Sequence, residues 1–454
     1  MKTYPKYKES GIPWIGQIPE GWGTSYLLHA LRGNITDGPH ETPRLVEDGI
    51  PFISVDSLND SEHIDFTIVK KYISEEDYLE YCKKAILEEN DILFSKSATI
   101  GKTAIVGRER FMVWSPLAII KPAFNKVYPK YLYYVVSNEQ YRKSVCLLAT
   151  YNTQLNVGMR TLEKSLIPIP PLAEQEAIAA FLDKKTGNID ELVGLLNKQI
   201  ADVRAYRQSL ITETVTQGLN KDVPMKDSGV EWIGQIPEGW HLTKLKHLTS
   251  KIGSGITPSG GATIYQDSGV LFIRSQNVYA NGLKLDDVAY ISDEIDNSMQ
   301  SSRVLYGDVL LNITGASIGR CTTFNLERTR ANVNQHVCII RPITELLLSK
   351  YLQYTLNSSL GQTQIALCQT GGNREGLNFE QLKNFLIPDI PLFEQQQIVE
   401  FLDKKTKDID ELLVKLEAQV ADLLAYKSSL ISEAVTGKIY IEPQDDNTTV
   451  TALS

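Results

Sequence analysis

Six histidines stand at His29, His40, His63, His241, His247 and His336, and five cysteines at Cys82, Cys146, Cys321, Cys338 and Cys368. They fall singly, with no CxxC and no metal-ligand spacing, so neither a zinc site nor a disulfide framework is indicated. Hydrolytic and phosphate chemistry fare no better. HExxH is absent, Lys96 occupies the first glycine position of the near-match that ends in Gly101-Lys102-Thr103, and Gly253-Ser254-Gly255 meets Pro258 where a dinucleotide loop needs its third glycine. An amino-methyltransferase would need Asn-Pro-Pro-aromatic, whereas Ile169-Pro170-Pro171-Leu172 reads as a helix entry. What remains is recognition chemistry, carried by polar residues in loops between short apolar runs. In the first half these are His40, Thr42, Lys96, Thr99, Lys102 and Arg108. In the second they are Thr257, Arg274, Gln276, Asn277, Thr314, Ser317, Arg320, Asn334, Gln335, His336 and Arg374. Arg and Lys suit guanine O6/N7 or phosphate, and Asn and Gln suit adenine N6/N7.

Two helices must position these loops. From Leu172 to Gly218 apolar residues recur every seventh position at Leu182, Ile189, Leu196, Val203 and Leu210, a coiled-coil seam flanked by Ile178, Leu192 and Tyr206. Only Gly187 and Gly194 interrupt it, at about 1 kcal/mol each relative to Ala. A helix of roughly 44 residues, about 65 Å long, is predicted. Its partner lies in the same chain. Leu392 to Gly437 carries the seam Leu402, Ile409, Leu416, Leu423 and Leu430, each 220 residues after its counterpart, as Leu402 is after Leu182. Phe181-Leu182-Asp183-Lys184-Lys185-Thr186 returns as Phe401-Leu402-Asp403-Lys404-Lys405-Thr406.

The globular parts repeat as well. Ser10–Trp22 and Ser228–Trp240 differ only at Ile12/Val230 and Pro13/Glu231. Their Pro and Gly content forbids a long helix or central strand and predicts an irregular arm with two Trp anchors, packed on the domain it introduces. Strands are expected at Gly49–Ile53, Asp91–Phe94 and Ala118–Ile120, echoed by Gly269–Ile273, Asp308–Leu311 and Ile339–Pro342. Helices are expected at Pro129–Asn138 and Leu347–Asn357. The fold class is therefore α+β: two homologous globular domains joined by two long antiparallel coiled-coil helices. Between matching strands the loops diverge, Trp114-Ser115-Pro116 standing where Asn334-Gln335-His336 stands in the second half. A shared scaffold with different loops suits two modules that read two different targets.

Composition agrees. At 454 residues the chain exceeds a single core, and no apolar run approaches the roughly 18 residues of a membrane span. The N-terminus has no apolar h-region, and a cytoplasmic setting is expected. The net charge of −9 sits largely on the helices, five basic against seven acidic residues over 172–217 and five against nine over 392–437. The globular parts are left close to neutral.

With these words assembled, the chain resembles the specificity subunit of type I restriction-modification systems. The residues carrying the resemblance are Thr36-Asp37-Gly38-Pro39-His40 with Thr42-Pro43, and Ser228-Gly229 with Trp232-Ile233-Gly234 and Ile236-Pro237-Glu238-Gly239-Trp240. Ile167-Pro168 with Pro171-Leu172 and Glu174-Gln175, and Asn373-Arg374-Glu375-Gly376-Leu377, complete the set. The resemblance implies a non-catalytic reader of double-stranded DNA. Target-recognition domains would occupy 1–168 and 221–388, each with its arm, spacer helices 169–220 and 389–440, and a disordered tail 441–454. It further implies two methyltransferase subunits that hold S-adenosylmethionine, and two restriction subunits using ATP and Mg for cleavage. The chain itself would hold no cofactor and no metal and touch no membrane. Helices pairing antiparallel would set the domains apart by one to two DNA turns of about 34 Å, giving two half-sites around an unread spacer. Two other classes stay open: a coiled-coil adaptor binding only proteins, which would not need divergent loops, and a self-contained DNA-modifying enzyme, which would need a catalytic signature.

Overall fold

The computed structural model describes residues 2–59, 62–151, 155–258, 260–369 and 376–443. The chain forms two compact units, residues 1–196 with 418–454 and residues 197–417. Each unit takes one domain and a length of both long helices, so the boundaries fall within the helices rather than at their ends.

In the first unit a four-stranded sheet is built from β1 (Thr36–Asp37), β2 (Ile92–Ser95), β3 (Thr103–Ile105) and β4 (Leu117–Ile120), in the order β1-β4-β2-β3. β2 and β4 are buried at every residue, which explains their unbroken apolar runs where a half-exposed strand would alternate. The helix α1 (Pro129–Ser137) packs beside β2 and β3, started by Pro at its first turn. A second small sheet pairs Ile50–Ile53 antiparallel with Tyr72–Ile73 and parallel with Met112–Val113. The long helix α2 (Leu172–Gln217) follows directly on the strand Leu166–Ile169, which pairs with Gly23–Tyr26 and so ties the end of the domain to its beginning.

The second unit repeats this plan. β5 (Thr249–Ser254), β6 (Val309–Asn312), β7 (Cys321–Thr323) and β8 (Val337–Pro342) stand in the order β5-β8-β6-β7, with α3 (Ser349–Asn357) beside them. Val270–Ile273 pairs parallel with Ala331–Val333 in the second sheet, as Ile50–Ile53 does with Met112–Val113. Leu386–Asp389 pairs with His241–Lys244 and leads into α4 (Leu392–Val435).

The seam is laid out within each unit. In the first, Leu182, Ile189 and Leu430 join the domain core that contains Tyr131, Leu132 and Ile167. In the second, Leu402 joins Ile211, Val215 and Tyr351, while Ile409 and Leu416 are also buried. The helices run antiparallel: Arg204 meets Glu417 at 2.6 Å and Arg207 meets Asp410 at 2.8 Å in the second unit, and Lys427 meets Asp190 at 2.7 Å in the first. Of the residues expected to flank the seam, Ile178 is buried, but Leu192 and Tyr206 are 49% and 59% exposed. The heptad spacing places them one face over from the contact, and Ile200 and Ile211 are buried instead.

Both helices end on a glycine in the left-handed region, Gly218 (φ +74°) and Gly437 (φ +70°), the conformation that stops a helix most cheaply when no Cβ is present. A Cβ on Gly437 would lie 2.4 Å from Pro19 Cδ, so the helix end and the arm are in close contact. The arms contain a short antiparallel ladder, Tyr7–Glu9 with Gln17–Pro19 and Met225–Asp227 with Gln235–Pro237, and are thus less irregular than their Pro and Gly content implies. Trp22 and Trp240 are buried anchors and Trp14 packs edge-on against Tyr141, whereas Trp232 is 38% exposed. Beyond α4, Ile439 is buried and Tyr440 packs edge-on against Tyr4, so ordered packing runs on to the edge of the tail expected from residue 441. Residues 444–454 of that tail lie outside the described residues.

Candidate nucleic-acid interface

Strand register decides which loops share an edge. In the first unit Leu117 pairs with Ser95, Ala118 with both Phe94 and Asp37, and Phe94 with Thr103. Hence the segments after Asp37, between Ser95 and Thr103, and before Leu117 all leave one end of the sheet. Backbone bonds knit them together: Lys96 N donates to Pro116 O at 2.9 Å, Ser115 N to Pro39 O at 3.2 Å, and Trp114 N to Ile53 O at 2.9 Å. In the second unit Val337 pairs with Asn312, Cys338 with Ser254 and Leu311 with Cys321. There Asn334 N donates to Ile273 O at 3.2 Å, Ile313 N to His336 O at 3.0 Å, and Gly255 N to Asn334 O at 3.2 Å.

A common device draws the first loop inward. Gly38 and Gly255 lie so close to the carbonyls of Val113 and Val333 that an added Cβ would sit 1.8 and 1.6 Å from those oxygens. Only glycine fits. Ala98 and Gly315, at the tips of the loops after β2 and β6, share a positive φ of 60° and 71°. For alanine that conformation is strained, and strain of this kind concentrates at functional loops.

The chemistry at the two edges differs. In the first unit Asp37 is buried, with Lys84 Nζ at 3.1 Å, Lys96 Nζ at 3.2 Å and the His40 imidazole Nε2 at 3.4 Å around it. Lys96 is itself 9% exposed, so its charge neutralises Asp37 and does not face solvent. Lys102 is likewise turned inward, its Nζ donating to the carbonyls of Leu58 at 2.7 Å and Val55 at 3.3 Å. His40, Thr42 and Thr99 remain exposed at this edge. Arg108 does not belong to it. Because Ile105 pairs with Ile92, the chain beyond β3 emerges at the opposite end of the sheet, where Arg108 pairs with Glu89 at 3.0 Å.

In the second unit Thr257, Gln276, Arg320 and Gln335 are exposed at the edge, and Arg274, Thr314, Ser317 and His336 half-buried. Arg274 donates to Asp287 O at 2.9 Å and Gln276 to the Asp287 carboxylate at 2.6 Å. Ser317 Oγ accepts from the buried Asn312 amide at 3.1 Å. Asn277 and Asn334 are buried and spent on the backbone: Asn277 Nδ2 donates to Lys284 O at 2.9 Å, and Asn334 Oδ1 accepts from His336 N at 3.1 Å. Both shape the loops through these bonds. Arg374 lies outside the described residues.

Two features escaped the sequence reading. Tyr279 carries Lys284 Nζ at 4.2 Å and Arg320 Cζ at 4.9 Å from its ring centre, a cation–π arrangement that holds two positive charges beside the loops. The proximity of Tyr279 to Gln276 in sequence was the available signal. Arg44 and Lys84 add exposed positive charge to the first unit's edge. Among the described residues no group of three His, Cys, Asp or Glu side chains is placed to hold a metal ion, and no helix is long and apolar enough to cross a membrane.

Comparison with known proteins matches residues 41–201 and 237–421 to the family described as Type I restriction modification DNA specificity domain. A protein of Methanocaldococcus jannaschii, provisionally named the MjaX specificity subunit of a type I restriction enzyme, is 26% identical over 96% of this chain and 98% of its own length. The EcoBI specificity subunit of Escherichia coli is 26% identical over 65% of this chain and 63% of its own. A chain from a solved type I restriction-modification assembly shares the fold, with a TM-score of 0.69 over 93% of this chain and 99% of that one at 16% identity.

Proposed function

The chain belongs to the type I restriction-modification DNA specificity family, and on that premise we propose that it reads a bipartite double-stranded DNA target, one half with each loop cluster, and brings methyltransferase subunits to it. It is the DNA-recognition subunit of such a system and not a catalytic one. S-adenosylmethionine would be held by the methyltransferase, and ATP with Mg by restriction subunits that join for cleavage.

The observation that carries the reading is the contrast between the two edges. Equivalent backbone contacts, such as Trp114 N to Ile53 O and Asn334 N to Ile273 O, hold loops whose side chains are unrelated. Packing would preserve the contacts and a single ligand would preserve the side chains; only two different ligands on one scaffold leave the first and change the second. Acidic helices and near-neutral domains give the chain little long-range attraction for phosphate, so partner subunits must supply part of the grip.

For docking, the helices expose apolar side chains in duplicate. Leu192 and Tyr426 flank the Asp190–Lys427 pair in the first unit, and Leu412 and Tyr206 flank the Asp410–Arg207 pair in the second. Exposed apolar side chains at repeated positions support one methyltransferase subunit per unit. The test is reconstitution. The pure chain with S-adenosylmethionine should methylate nothing, and the chain with its methyltransferase should methylate a bipartite sequence. Methylation by the chain alone, or by the complex without sequence preference, would overturn the proposal.

A further inference from the structure

We infer that Gln335 reads an adenine in the half-site recognised by the second unit, with His336 and Thr314 as positioning residues that hold its amide for that contact. This rests on the DNA-reading function above and assigns part of it to one side chain. Thr314 Oγ1 and His336 Nδ1 are 2.6 Å apart, and Gln335 Nε2 and His336 Nε2 are 3.0 Å apart. An imidazole with its proton on Nδ1 donates to the Thr314 hydroxyl, and its Nε2 then accepts one amide hydrogen of Gln335. Oε1 and the second amide hydrogen of Gln335 stay free. That acceptor and donor side by side are what adenine N6 and N7 require in the major groove.

The relay is anchored at its base. His336 N donates to Asn334 Oδ1 at 3.1 Å within its own loop and its carbonyl accepts from Ile313 N at 3.0 Å, so the backbone that carries the ring is held to the end of β6. Gln335 itself is exposed and makes no part of the core. A glutamine on a surface loop would otherwise lose rotamer freedom on binding; one already held does not. In the first unit Trp114-Ser115-Pro116 takes this place, with neither amide nor imidazole, so the contact belongs to one half-site only.

The test uses the complex of this chain with its methyltransferase, acting on a randomised DNA library, with methylated sequences read out. Gln335→Ala should relax one adenine position in the half-site of the second unit by about ten- to hundredfold, leaving other positions alone. Thr314→Val should relax the same position partly and Thr314→Ser restore it, a pattern that mere loss of packing would not give. An unchanged motif in Gln335→Ala, an even loss across all sequences, or relaxation at a base other than adenine would overturn the inference. Exchange of residues 240–387 in the same assay separates the two levels. If the exchange alters a half-site and Gln335→Ala does not, the assignment fails and the DNA-reading function stands; if neither alters it, that function fails.

Discussion

The indole of Trp240 donates to the Glu394 carboxylate at 3.1 Å across 154 residues of sequence, joining the arm that opens the second domain to the first turn of α4. Trp22 makes the same bond to Glu174 at 2.9 Å in the first unit. Arm, domain and helix are thereby fixed to one another at the point where the helix starts. A charge-assisted bond in a half-buried place is worth about 1.5–3 kcal/mol. Trp240→Phe loses the donor and part of the bicyclic ring at a site only 4% exposed, so the cavity adds to the lost bond and unfolding stability should fall by at least that amount in a denaturant titration. Trp232→Phe, at an exposed ring, should change it by less than about 0.5 kcal/mol. Equal effects would mean that the arm does not act through this bond.

Substitution on the seam should discriminate by depth. Leu416 is 5% exposed whereas Leu196 is half-buried. Leu416→Asp places a carboxylate with no partner in an apolar contact and should cost more than about 3 kcal/mol, with Leu196→Asp costing less. Assembly with the methyltransferase should fail in the first. A Leu416→Asp chain of unchanged stability that still assembles would show the seam to be misassigned.

Alkaline pH should weaken the second unit, where burial raises the thiols and also the Tyr351 and Tyr354 phenols. Burial pushes the Cys338 thiol from the ordinary value of about 9 up to about 12, and burial raises Cys321 as well. The unfolded chain releases these protons first. The stability they contribute is therefore complete below about pH 9 and declines as pH rises toward 12, at up to about 1.4 kcal/mol per pH unit for each thiol. Urea titrations at pH 8 and pH 10 should show the decline, and Cys338→Ala should reduce its slope. A slope that is flat in the parent chain, or unchanged by the substitution, would contradict the buried placement.

Much of the fold was legible because it is carried by periodicity and repetition. The heptads at Leu182 to Leu210 and Leu402 to Leu430 give the helices, and runs such as Val309-Leu310-Leu311 give buried strands. Spacing does not decide whether the flanking residues Leu192 and Tyr206 are covered, because an apolar residue beside a seam obeys the same spacing whether its face is closed or open. The site was legible only as a set of loops. Whether a loop cation faces solvent depends on a partner far away in sequence: Lys96 turns inward because Asp37 needs it, and Lys102 because the carbonyls of Val55 and Leu58 do. Arg108 needed strand register, which places it at the other end of β3. Asn277 and Asn334 needed the backbone geometry of turns that they themselves complete.

The central claim is that each unit reads its own half of the target. Exchanging residues 240–387 for the equivalent segment of another specificity subunit, and mapping the methylated sequence of the resulting complex, tests it directly. Each domain meets its helix through the same contacts, Tyr134 to Asp183 at 2.8 Å and Tyr354 to Asp403 at 2.6 Å, so a transplanted domain should seat in the same way. The account predicts a motif in which one half changes and the other is retained. A motif altered in both halves, or in neither, would contradict it.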